Sequence, residues 1–524
     1  MSSDELLATG ASHAGQPRLS FTVPDLPDPP LAEAYEQAAT QNVLAAVNSS
    51  IFFGYWSVCA DGQGFGFGNT FPSLDGHQMA DALLRLGQVD VVKANWDYVR
   101  SFQRPNGQLP LAILPGLAGQ EIGVEGGKSR LDENGGLYCH WVPGDPLRAL
   151  ASPTYIQNAD VLFRLTQDRA WLKAQRDSIH RAADHLASMV TAEGAVRGAG
   201  YYIERPTRIE FDGVAQCHAV DAFRRVAALD DALGDSVSAQ YYRAIADRIS
   251  AHFTTRFWVG KQFAEYIHPE RGVIAAHGLT DVDWASLATG VASPAQRNML
   301  WPRLKDEKRF YYGGMPTGIA TQPDTYEAWE FAHPDRHDLA AMSRVWHLEC
   351  WARHRMGDAD GLIASLRAVA EAGRRNGYSW RERYHPDGKG GCAPAGPERY
   401  CEYPANLIRV VQRFLLGVDF GLDGTLTIAP VAPAMFWNKG FGQTLAWRDR
   451  VLSYRMQEGN LRGQFSGAAV QRLWIGLGQS LRGKNVRAAC EGRPVTVEVH
   501  GDRIAINLAA ASAETPCEFV VSIE

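Results

Sequence analysis

Residues 152–190 read SPTYIQNADVLFRLTQDRAWLKAQRDSIHRAADHLASMV. Two helical patterns flank the segment LTQDRA (165–170), which is long enough only to reverse the chain, so the stretch predicts an antiparallel helical hairpin. The arrangement recurs around ALGDSV (232–237) within 216–253 and around RMGDADG (355–361) within 338–375. Further helical patterns run over 79–102 and 402–418, with apolar residues in register at Val220, Phe223 and Ala227, and again at Ile408, Val411 and Leu415. Loops of fifteen or more residues separate the pairs, and loops of that length inside a compact domain usually carry function. The expected main domain is a ring of helical hairpins over 34–419 with its long loops gathered at one end; an irregular helical bundle fits the same pattern.

Outward from this core the pattern changes on both sides. Residues 1–33 are polar and Pro-rich, as in TVPDLPDPPLAEAY, and read as an arm or irregular lead-in. After residue 420, stretches such as VLSYRMQ, LRGQFSG and PVTVEVHGDRIAINLAA are short, often alternating, and punctuated by Gly and Pro. They predict an antiparallel β-sandwich over 420–524. The expected class is therefore mainly α, with a β-sandwich at the C-terminal end.

Composition narrows the partners. A net charge of −6, with Lys and Arg scattered, leaves no basic footprint for nucleic acid. No window approaches the roughly 20 consecutive apolar residues of a membrane span. The opening lacks a basic start followed by an apolar stretch, and the eight cysteines form no CxxC pair, so the expectation is a cytoplasmic protein with reduced thiols. The HPDRH segment (333–337) offers two histidines without a third ligand in a fixed pattern, so no metal or cofactor is expected. The 14 Trp and 18 Tyr favour a small carbohydrate as partner, because flat rings stack on the apolar faces of sugars. Homo-oligomerisation is left open.

Chemistry concentrates in SWRERYHPDGKGG (379–391), where Trp380, Glu382, Arg383 and Tyr384 precede a Pro-Asp-Gly turn. Its core, Glu-x-Tyr-x-Pro-x-Gly (Glu382, Tyr384, Pro386, Gly388), resembles a motif of the six-hairpin glycosidases: processing α-glucosidases, trehalases and, more loosely, α-L-rhamnosidases. The resemblance implies an (α/α)6 barrel and makes Glu382 the general base that activates water. A second stretch, GFGNTFPSLDGHQMADALLRLGQVDVVKANWDYVRSFQRPNGQLP (66–110), resembles the first hairpin of the same superfamily. There the aspartate, here Asp75, hydrogen-bonds substrate hydroxyls, while its position at a helix start also suits an N-cap.

The resemblance also requires an acid, from a loop between middle helices. VRGAGYYIERPTRIEFDGVAQCHAVDAF (196–223) supplies Glu204, two residues before Pro206, with Glu210 and Asp212 as rivals. Asp212, just ahead of an apolar helix, reads also as its cap. Trp56, Tyr202, Arg205, Asp212 and Glu402 complete the expected sugar subsite with Asp75, Trp380, Arg383 and Tyr384. Two carboxylates are what the chemistry needs: one protonates the leaving oxygen and the other activates a water, at a separation of roughly 6.5–9.5 Å when the anomeric centre inverts. The resemblance thus implies exo-acting, inverting hydrolysis by Glu204 and Glu382, of an α-glucoside first or an α-L-rhamnoside second. A polysaccharide lyase, a glycoside phosphorylase and a non-catalytic sugar-binding protein are the alternatives.

Overall fold

The computed structural model describes residues 20–21, 23–60, 68–124, 127–139, 148–198, 208, 210–331, 338–387, 389, 391–476 and 484–523. Among the described residues, twelve helices fall into an alternating series: α1 (Pro29–Gln37), α2 (Leu74–Arg85), α3 (Val89–Ser101), α4 (Ala151–Thr166), α5 (Arg169–Ser188), α6 (Gly213–Leu233), α7 (Ser236–Arg256), α8 (Asp281–Ala288), α9 (Pro294–Leu304), α10 (Ser343–Met356), α11 (Ala359–Arg375) and α12 (Glu402–Arg409). A short helix, α13 (Ala434–Lys439), lies beyond them. Helices α1 and α12 each continue into a π-helical turn, Ala38–Val43 and Val410–Leu415.

The even-numbered helices pack on one another in sequence, α2 on α4, α4 on α6, α6 on α8, α8 on α10, α10 on α12, and α12 back on α2. The odd-numbered helices cover them; α7 packs on α6, and α11 on both α10 and α1. Burial follows this division. Every residue of α8 and α12 is buried, whereas α7 buries only the stripe Ala239, Tyr242, Ile245, Ala246, Ile249 and Phe253.

The three reversals read from sequence share one construction. A residue in the left-handed region ends the first helix, and the aspartate after it caps the next. Gly234 (φ 88°) precedes Asp235, which accepts from Ser238 N, and Gly357 (φ 70°) precedes Asp358, which accepts from Gly361 N. At the first reversal Gln167 takes φ 53° without being glycine, at a cost of about 1–2 kcal/mol. Its amide offsets this by donating to Arg164 O (3.0 Å) and Gly421 O (2.9 Å), tying the hairpin to the start of the β-region. Asp168 then accepts from Trp171 N at 2.9 Å.

The β-region holds two sheets. One runs in the order Ser20–Phe21, Phe441–Trp447, Arg450–Gln457, Asn460–Gly467, Cys517–Ile523, Val486–Cys490 and Arg493–Val495. The other runs Val418–Phe420, Leu426–Ile428, Val470–Gly476, Arg503–Leu508 and Glu498–His500. Apolar residues alternate inward, as in Leu452, Tyr454 and Met456.

Three departures from expectation follow. Leu426–Ile428 pairs parallel with Val470–Gly476, because the chain leaves this sheet for three strands of the other and returns in the same direction; the remaining pairings in the two sheets are antiparallel. The lead-in is partly structured: Ser20–Phe21 pairs with Ala446 and Leu445, Asp25 bridges Gly442, and Asp28 caps α1 while accepting from Arg367 Nε at 2.6 Å. The reading of uniformly reduced thiols is corrected, since adjacent strands bring Cys490 and Cys517 together as a disulfide (Cα–Cα 6.5 Å). Their separation of 27 residues has no local signature. Among the described residues, no helix is long and apolar enough to cross a membrane.

Candidate active site

The strand Arg383–Pro386 pairs with Ala341–Met342, which runs directly into α10, so the motif around Glu382 is pinned beside the first turn of that helix. Through 380–385 burial alternates: Trp380, Glu382 and Tyr384 face inward, and Arg381, Arg383 and His385 are half-buried. Glu382 therefore stands on the inner face between two rings. Its Oε2 accepts from Arg383 Nη1 at 2.6 Å and its Oε1 from Arg344 Nη2 at 3.2 Å. Gly396 (φ 84°) lies over it, so close that an added Cβ would meet Glu382 Cβ at 2.9 Å.

Arg344, in the first turn of α10, gathers the rest. Its Nε donates to Glu402 Oε1 at 2.8 Å and its Nη2 to Glu402 Oε2 at 3.1 Å, while Gln78 Nε2 donates to Glu402 Oε1 at 2.9 Å. Gln78 follows Asp75 by three positions on α2, one turn along the same face. Asp75 accepts from the Tyr400 hydroxyl at 2.7 Å. Ser73 holds the N-cap position, so Asp75 sits within the first turn rather than capping it. The first turns of α2, α10 and α12 thus bring Asp75, Arg344 and Glu402 together with Glu382.

The charges are uneven. Burial pushes the Glu402 carboxyl up against the pull of Arg344, and the neighbouring Asp75 adds to the rise. Burial likewise raises the Tyr400 hydroxyl well above its ordinary value, reinforced by Asp75 and Glu382. For Arg344 burial disfavours the charge, but Glu402, Glu382 and Asp75 together hold the guanidinium well above its usual range.

A further buried cluster forms around Arg208. Arg208 is fully buried; its Nη1 donates to Asp212 Oδ1 at 2.7 Å and Asp281 Oδ2 at 3.2 Å, and its Nη2 to Asp281 Oδ1 at 3.2 Å and to Glu265. Asp212 Oδ2 meanwhile caps α6 by accepting from Ala215 N at 2.8 Å. Tyr326 donates to Glu265 at 2.9 Å. Burial pushes Asp281 up to about 6 despite Arg208.

Of the residues expected from sequence, Asp75, Glu382, Arg383 and Glu402 come together. Asp212 is corrected: with zero exposure, and its oxygens engaged by Arg208 and the α6 cap, it is a structural anchor and offers no sugar contact. Trp380, with zero exposure, packs on Gly373 and donates from its ring nitrogen to Val369 O, so it belongs to the core and not to a pocket wall. Tyr384 is also core, its hydroxyl accepting from Arg381 N and its ring meeting Tyr403 edge-on. Trp56 is buried in the same core. Tyr202, Glu204 and Arg205 lie outside the described residues. Glu210 is part-exposed; its Oε1 accepts from Arg148 Nη2 at 3.3 Å, and its Oε2 is buried with no partner among the described residues. Sequence reasoning missed Arg344, Tyr400 and the Arg208 cluster, which no local motif marks; Gln78 could have been found from its spacing to Asp75. Among the described residues, no group of three His, Cys, Asp or Glu could hold a metal ion.

No family model and no curated protein matches the chain. Solved structures do. The GH78 family rhamnosidase of Bacillus sp. GL1 superposes with a TM-score of 0.62 at 12% identity, over 86% of this chain and 42% of that one. The α-L-rhamnosidase from Dictyoglumus thermophilum gives 0.62 at 12%, over 97% and 51%. A sialidase gives 0.58 at 12%, over 97% and 45%. The chain thus spans about half the length of these proteins. At such identities the likeness is one of architecture: the chain shares the fold of two rhamnosidases and a sialidase.

Proposed function

We propose that the protein is an inverting, exo-acting glycoside hydrolase built on a closed (α/α)6 barrel (34–419) with a C-terminal sandwich (420–524), the lead-in 1–33 lending the sandwich an edge strand. One observation carries this reading: Glu382 is held by two guanidinium groups, Arg344 and Arg383, beside Glu402 and Asp75, where the first turns of α2, α10 and α12 meet. Glu382 acts as the base. The two arginines fix its carboxylate, so that a water on the far side of a bound sugar can be deprotonated in a set geometry. Asp75, oriented by Tyr400, accepts from sugar hydroxyls, and Glu402 keeps Arg344 in place.

For the acid, the engagement of Asp212 leaves Glu204 and Glu210. Glu210 is favoured, since Arg148 orients one of its oxygens while the other, buried, has no partner among the described residues and is left to face a leaving oxygen. An α-L-rhamnoside becomes the first substrate class, because the two solved structures at TM-score 0.62 are rhamnosidases, and an α-glucoside the second. The sequence expectation of a cytoplasmic protein sits against the Cys490–Cys517 link, which favours an oxidising compartment. Thiol titration of the unfolded, unreduced protein should then count six thiols of eight; eight would remove that argument.

The test is hydrolysis of nitrophenyl glycosides by wild type, Glu382→Gln, Glu210→Gln and Glu204→Gln. Loss in Glu382→Gln and Glu210→Gln with Glu204→Gln active supports the assignment. Loss in Glu382→Gln and Glu204→Gln with Glu210→Gln active transfers the acid to Glu204, and retained turnover in Glu382→Gln overturns the proposal.

A further inference from the structure

Residues of α2, α4, α6, α10, α12 and the π-helical turn after α12 line a cavity of about 30 Å³. A water needs roughly 10–15 Å³ by this measure, so the space suits two waters or one monatomic ion and is too small for a sugar or an organic anion. Its lining is one-sided. Arg225, Arg344, Arg409 and Arg413 line it, and none of the described residues that line it is a carboxylate.

The four arginines differ in what holds them. Arg344 belongs to the candidate site. Arg409 donates to Asp81 (2.8 Å) and Asn406 (2.6 Å), and Arg225 to Asp221 (2.7 Å) and Asp160. Arg413 makes no hydrogen bond or ion pair with any described residue; its guanidinium carbon lies 6.0 Å from the ring centres of Trp351 and of Phe414. On α10, His347 lines the same cavity and is nine-tenths buried, with its Nε2 lacking a partner among the described residues. The half-buried guanidinium of Arg413 and the buried ring nitrogen of His347 therefore both have hydrogen-bonding capacity, unused by the described residues, beside one small cavity, and a buried nitrogen left so is costly unless something occupies the space.

The local field points the same way. Burial and the nearby Arg409 hold His77 down to about 3, and burial with Arg409 and Arg413 holds His347 well below its ordinary value. Arg413 itself is lowered by burial, with Asp419 acting against that and Arg225 with it. The imidazoles are thus neutral, and His347 can present an Nε2 hydrogen toward the cavity.

We propose that this cavity binds one monatomic anion of chloride size, held by the guanidinium of Arg413 and the Nε2 hydrogen of His347. The anion would complete the hydrogen bonding of both and screen the arginines from one another. Gln78, Asn406 and Arg344 line the same cavity and also hold Glu402 or one another, so the bound ion would steady the floor of the candidate site. The ion is not a reactant, and the inference stands whether or not the site above it hydrolyses glycosides.

The experiment uses bromide and chloride. Crystals of the full chain soaked in sodium bromide should show an anomalous peak in the cavity beside Arg413. In solution, moving from acetate to chloride at constant ionic strength should raise Tm by roughly 1–2 °C at a tenfold excess over Kd, and this rise should vanish in Arg413→Met. Water in the cavity with no bromide peak overturns the proposal, as does an equal rise in Tm in Arg413→Met. If that variant does not fold, the bromide peak in wild type decides.

Discussion

Two clusters in this protein are built alike, each with an arginine that bridges carboxylates at its centre, and they differ in what is left open. Around Arg208, Asp212, Glu265 and Asp281 are all at zero exposure, and the arginine bridges the three. Around Arg344, Glu382 keeps 8% exposure and Asp75 is half-buried, with Tyr400 and Arg383 as additional donors. The first cluster locks the chain at residue 208, directly after the segment that carries Glu204, onto α6 and α8. The second leaves carboxylate edges available to a ligand. Composition alone would not separate them; access does.

The largest contrast should come from removing each arginine. Arg208→Met leaves three buried carboxylates without their shared cation, and a loss of about 3–5 kcal/mol in stability is expected by chemical denaturation. Arg344→Met should instead be read in turnover. With Glu382 still held by Arg383 but no longer by Arg344, kcat should fall roughly 10²-fold with little change in KM, because a misplaced base costs rate more than binding. If Arg344→Met costs as much stability as Arg208→Met and leaves kcat per folded molecule unchanged, the two clusters are the same kind of object and the comparison fails.

A smaller effect should appear in pH. Asp281 has a native value raised to about 6, above its unfolded value, so between about pH 4 and pH 6 the native state binds more protons than the unfolded one. Its contribution to stability is present at the acid end and is lost as pH rises through that window. His77 and His218, held down to about 3 and about 4, act oppositely, since their neutral native forms gain stability as pH rises toward 6.5. The measurement is therefore a difference: relative to wild type, Asp281→Asn should gain stability on going from pH 4 to pH 6. Unchanged slopes would remove Asp281 as a proton-holding member of the Arg208 cluster.

What was legible in the sequence was local. The helix reversals could be read because a left-handed residue and a capping aspartate lie side by side at 167–168, 234–235 and 357–358. Glu382 and Glu402 could be read because one lies in a dense motif and the other opens a helix. Trp380 and Tyr384 were expected to wall a pocket, but their interleaving with charge is the period-two alternation of an extended segment, which turns both rings into the core. Asp212 looked like both a cap and a pocket residue; its partner Arg208 is four residues away, yet Asp281 and Glu265 are more than fifty, and only the fold makes them one cluster. Arg344 and Tyr400 were invisible for the same reason, as were the Cys490–Cys517 pair and the parallel strand pairing.

The central claim, that Glu382 is a base held ready by Arg344 and Arg383, is tested most directly by turnover of Glu382→Gln on a nitrophenyl glycoside that wild type cleaves, with Tm followed in the same samples. The account expects kcat to fall roughly 10²–10⁴-fold while Tm stays near that of wild type. Retained turnover in the folded variant would contradict it.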